Sequence, residues 1–81
     1  MKRVEYTKAA IKVLDRMQPK RRNAIRLKID AFARGERVDV KALKGSQLLR
    51  IRVGDDCVIL DEQTMVFIVI EVGPRGGIYK E

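Results

Sequence analysis

The chain predicts an α+β fold in the order β-α-α-β-β-β, with a helix hairpin packed on one face of a small antiparallel sheet. Three observations predict it. Apolar residues recur at helical spacing in the first half, they alternate or run unbroken over strand lengths in the second half, and the clearest Gly and Pro breaks fall between those stretches.

Each element follows from its residues. Arg3 to Tyr6 place Val4 and Tyr6 at alternate positions, which reads as a short strand leading into Thr7, a residue suited to cap a helix. Ala10, Val13, Leu14 and Met17 then share one helical face. Gln18-Pro19 opens a second helix, because proline is tolerated in a first turn, and Ile25, Ile29 and Phe32 form its apolar stripe up to a stop at Gly35. So short a connection predicts an antiparallel hairpin that needs a flat surface to cover.

The second half supplies that surface. From Leu48 to Val53 the residues alternate, with Leu49, Ile51 and Val53 on one face and Leu48, Arg50 and Arg52 on the other. Gly54-Asp55 is a turn, Cys57 to Leu60 a second strand, and Glu62-Gln63-Thr64 a turn into Met65 to Val72, which is apolar on both faces and reads as a central strand. Gly73-Pro74-Arg75-Gly76-Gly77 is expected to break that strand.

With 81 residues, 46% of them hydrophobic and 36% charged, a single globular domain over 1–81 is expected. A formal net charge of +7 favours a polyanion or an acidic protein as partner. The lone Cys57 forms no internal disulfide, and no apolar leader or long apolar run predicts secretion or membrane insertion, so the cytoplasm is the expected location. There is no histidine, and one thiol with scattered carboxylates makes no recognisable zinc or iron site. The glycines after Val72 do not make a phosphate-cradling loop, since no helix follows them.

The stretch LKGSQLLRIRVGDDCVILDEQTMVFIVIEVGPRGGIYKE resembles the strand meander of the RelE/ParE superfamily of toxins, RelE-like branch. The Leu43-Lys44-Gly45 lead, the Arg50-Ile51-Arg52 strand and the Val72 to Tyr79 ending carry the likeness. The resemblance implies a fold similar to small microbial ribonucleases. It also implies a toxin that acts as a ribosome-dependent messenger RNA endoribonuclease without a metal or other cofactor, and a cognate acidic antitoxin protein. By position, Arg50 and Arg52 match the family's two basic strand residues, Lys44 a basic residue before them, Arg75 the arginine after the Val-Gly step, and Tyr79 the C-terminal tyrosine of the active site.

One stretch departs from the pattern. The family writes a tyrosine and an arginine after the turn, where this chain has Asp56 and Cys57. Cys57 beside Asp56 is unsuited to be a nucleophile, since the carboxylate disfavours a thiolate. It stands where a catalytic-site arginine is usual, and activity is expected to be weakened by the loss of that cation.

Cleavage by a 2′-hydroxyl needs a base, positive charge on the phosphorane and an acid for the leaving 5′-oxygen. Arg75 with Arg50 or Arg52 can clamp the phosphate, and Tyr79 can act as a base only where nearby cations favour its phenolate. The plainer alternatives are a solvated strand face for the arginines and a frayed end for Tyr79. Lys20, Arg21, Arg22 and Arg26 read as an electrostatic surface for ribosomal RNA, or as an ordinary solvated face. Two other functions stay open: DNA gyrase inhibition, as in the ParE-like branch, and a non-enzymatic basic module that binds RNA or an acidic protein.

Overall fold

In the computed structural model of the chain the described residues are 2–43, 45 and 47–74. Their elements are β1 (Arg3–Tyr6), α1 (Lys8–Arg16), α2 (Pro19–Ala33), β2 (Val40–Ala42), β3 (Leu48–Val53), β4 (Asp56–Glu62) and β5 (Val66–Pro74).

The helix ends follow local chemistry. Thr7 is extended, and its Oγ1 accepts a hydrogen bond from the Ala10 N–H at 3.1 Å, satisfying a donor that the first turn leaves open. Pro19 takes the first position of α2, where its missing N–H costs nothing. Beyond α2, Gly35 has a φ of +88°, a left-handed conformation that side chains resist.

The sheet runs in the order β1-β5-β4-β3-β2. Neighbours are antiparallel from β2 to β5, while β1 lies parallel to β5, so the expected antiparallel sheet is in fact mixed. The last strand, apolar on both faces, takes an interior place, and β1 covers its second edge. The additional strand β2 is three residues long and exposed throughout, too short and too polar in setting to carry a periodic signal.

Strand boundaries also shift from expectation. Met65 lies before β5 and is exposed, and β5 continues through Gly73 to Pro74 because these pair with Cys57 and Asp56.

Both helices cover one sheet face, α1 over β5 and α2 against β1 and β3. Leu14, Ile25, Ile29, Ile51, Val58, Leu60 and Val69 are fully buried between the layers, and Phe32 stacks on Phe67 with ring centroids 4.8 Å apart. Val13, expected on the buried stripe of α1, is 36% exposed. It sits about 100° round the helix from Leu14, at the margin of the stripe. No described helix is long and apolar enough to cross a membrane.

Candidate functional site

The sheet face opposite the helices gathers the basic strand residues. Alternation along β3 sends Leu49, Ile51 and Val53 to the core and leaves Arg50 and Arg52 on the open side. Arg52 lies opposite Cys57, and Cys57 opposite Gly73; in the next row Lys41 of β2 lies opposite Arg50, Arg50 opposite Ile59, and Ile59 opposite Glu71. Three cations thus share one face with Cys57. Arg52 is exposed and makes no ion pair among the described residues, while Arg50 is half-buried.

A β-bulge decides what the end of β5 presents. The register steps from Leu60 opposite Val69 to Ile59 opposite Glu71, so Ile70 is the extra residue. Before the bulge Phe67 and Val69 face the core; after it Val72 does. Gly73 is thereby turned to the open side beside Cys57, two residues before Arg75. Without the bulge the parity would be reversed.

Cys57 is 1% exposed and Ile59 is buried, although both lie outside the cluster between sheet and helices. A thiol buried in this way is out of reach of a substrate. Lys44, Arg75 and Tyr79 lie outside the described residues.

Asp56 explains half of the departure in the strand motif. It points to the helix side, buried at 6% exposure, and Arg21 donates to it twice: Nε to Oδ2 at 3.1 Å and Nη2 to Oδ1 at 2.5 Å. This fork-to-carboxylate pair joins the first turn of α2 to the start of β4. The hydrogen bond and the charge of Asp56 raise the Arg21 pKa above its usual value. Arg21, expected as part of an open electrostatic surface, is therefore engaged within the fold.

The remaining helix cations divide likewise. The Arg26 guanidinium lies 5.3 Å from the centre of the Tyr6 ring, Arg22 is half-buried, and Lys20 is exposed. Tyr6 has its pKa raised, first by burial and then by Asp30, with Arg26 opposing.

Sequence reasoning missed Lys41 and the Arg21–Asp56 pair. Lys41 sits in a strand too short to recognise, and the pair spans 35 positions, beyond any local spacing. The available signal was Asp56 itself, a carboxylate in a strand that is otherwise apolar up to Leu60. Among the described residues no group of three or more Cys, Asp or Glu side chains is placed to hold a metal ion.

No protein-family model and no curated protein matches the chain. Solved structures do. The chain resembles one in the RelB–RelE antitoxin–toxin complex of Methanococcus jannaschii, with 26% identity and a TM-score of 0.77 over 93% of this chain and 94% of that one. It resembles one in the archaeal RelE–RelB complex of Pyrococcus horikoshii, also with 26% identity, at a TM-score of 0.75 over 94% and 97%. A chain of the intact RelBE toxin–antitoxin complex of E. coli shares the fold at 17% identity, with a TM-score of 0.78 over 91% and 96%.

Proposed function

We infer that this chain, RelE-like in fold, is the toxin of a toxin–antitoxin pair and cuts messenger RNA on the ribosome. The observation that supports the chemistry most directly is the open sheet face, where the strand register brings Lys41, Arg50 and Arg52 into one patch beside Cys57 and Gly73. An arginine fork holds the non-bridging oxygens of a phosphate and stays charged at any working pH.

The reaction needs no cofactor. A base takes the proton of the 2′-hydroxyl, the 2′-oxygen bonds to phosphorus, the bond from phosphorus to the 5′-oxygen breaks, and that oxygen receives a proton. Arg52, with Arg50 and Arg75, stabilises the charge that accumulates on the phosphorane. Tyr79 is the candidate base, working as phenolate in a field of cations. Lys44 and Lys20 add attraction for RNA, and the cytoplasm is the place where such a target is met. A cognate acidic antitoxin answers the net charge of +7.

The test is to add the purified chain, and its Cys57→Arg form, to a reconstituted translation system and map messenger ends by primer extension. A-site cleavage by either form, lost on Arg75→Ala or Tyr79→Phe and reduced about 10²-fold or more by Arg52→Ala, supports the reading. No cleavage by either form overturns it. The neutral Cys57 in place of a cation favours one second reading, inhibition of DNA gyrase, which a supercoiling assay on the same preparations decides.

A further inference from the structure

A second concave surface lies at the end of β5, near the open face but formed by different side chains. The cleft is about 570 Å³, within the range of roughly 300–1,000 Å³ typical of sites that hold a small molecule. Its apolar wall is Val13 and Met17 of the first helix with Val72 and Pro74 of β5, and its rim is Arg16, Gln18 and Arg21.

We propose that this cleft is a subsite for one nucleotide of the RNA strand flanking the cut. The inference rests on the ribonuclease reading and extends it. The lining carries no carboxylate of its own, and its guanidinium groups are Arg16 and Arg21, the second balanced by Asp56 behind it, so the net positive charge comes from Arg16 and the surface suits an anion with an apolar body. The Asp56 pair holds the Arg21 fork in place, which lowers the entropy cost of using its remaining N–H groups. Arg16 is exposed and makes no ion pair among the described residues.

Gln18 precedes the second helix without capping it through its side chain, so its amide donor and acceptor remain available to a base edge. Met17 offers a polarizable sulfur to a flat ring. A protein helix would need a longer groove; a base with its phosphate matches both the apolar wall and the basic rim. Position gives the link to catalysis. Gly73 lines the cleft and also lies beside Cys57 on the open face, and Pro74 immediately precedes Arg75. A strand held at Arg50 and Arg52 on the open face therefore enters the cleft by passing the end of β5 at Gly73 and Pro74.

The experiment uses programmed ribosomes and a messenger blocked at the cut by a 2′-O-methyl group, with 4-thiouridine at one flanking position at a time. Irradiation, digestion and mass spectrometry then locate the crosslinks. One flanking position should crosslink to peptides containing Val13 to Gln18. Arg16→Ala, Gln18→Ala and Val13→Gln, all at exposed positions that tolerate change, should each weaken that crosslink and lower kcat/KM for the unblocked messenger. Arg16→Ala should also make the slope of log affinity against log salt shallower by about 0.7, as expected for one lost phosphate contact on a single strand.

Crosslinks confined to other peptides, or Arg16→Ala, Gln18→Ala and Val13→Gln forms that cleave like the parent, overturn the subsite while leaving the ribonuclease intact. If the parent and Cys57→Arg forms both fail to cut unblocked messenger, the ribonuclease reading falls first and the subsite with it.

Discussion

Tyr6 is half-buried between the sheet and α2, with its phenol disfavoured as an anion chiefly by burial. Its folded pKa lies above the unfolded value of about 10, so on raising the pH the unfolded chain loses this proton first. The stability involved is fully present below pH ~10 and is lost as the pH rises through the folded value. Urea midpoints of the parent should fall faster above that pH than those of Tyr6→Phe, which keeps the ring against Arg26; equal slopes would mean that burial of Tyr6 does not govern the effect. The Arg21–Asp56 pair is asymmetric in the same way. Arg21→Ala leaves a buried carboxylate alone, whereas Asp56→Ala frees an arginine that is already 48% exposed to water. Arg21→Ala should lower the urea midpoint more than Asp56→Ala, and Arg21→Ala with Asp56→Ala should recover part of the loss. Asp56 and Cys57 were legible as departures from a motif. Their opposite fates, one satisfied by a distant helix and the other buried on the far face, were not, because partners remote in sequence leave no trace in local spacing.

At the scale of elements, what was legible is what local chemistry dictates. The Thr7 cap, the Pro19 start, the Gly35 stop and the alternating face of β3 all follow from neighbouring residues. The Thr7 hydroxyl accepts from Ala10 and donates to the Ile70 carbonyl at 3.2 Å, so it joins the start of α1 to the bulge in β5. Thr7→Ala should cost about 1 kcal/mol for the cap and more if the second bond counts, while Thr7→Ser should cost less, since the hydroxyl remains. Chemical denaturation of the three forms measures this, and a cost confined to tenths of a kcal/mol would deny the cap its role. The bulge itself was all but hidden. The apolar residues from Val66 to Ile70 have no parity to read, and the one signal is Glu71, which strict alternation from Phe67 and Val69 would send into the core. The parallel pairing of β1 was hidden too, because alternation marks a strand without naming its neighbour.

Over the whole molecule, the cations occupy both layers. Lys41, Arg50 and Arg52 lie on the open sheet face, while Lys20 and Lys28 are exposed on α2 behind it. A net charge of +7 attracts a polyanion from any direction, but only groups within reach of the phosphate can stabilise the reacting centre. The two layers should therefore separate in kinetics. Replacing Lys20 and Lys28 by alanine removes charge from the layer opposite the open face, so binding to ribosomes should weaken and depend less steeply on salt, while kcat at saturation and the position of the cut stay as in the parent. Arg52→Ala should lower kcat at every salt concentration. This follows because a contact made only in the transition state reduces kcat and kcat/KM together, whereas a general attraction acts on encounter and is screened beyond about 8–10 Å at ordinary ionic strength. Rates measured across a salt series for both variants decide the matter. A drop in saturated kcat for the Lys20 and Lys28 variant would mean that these two cations act on the reacting centre and not only on encounter.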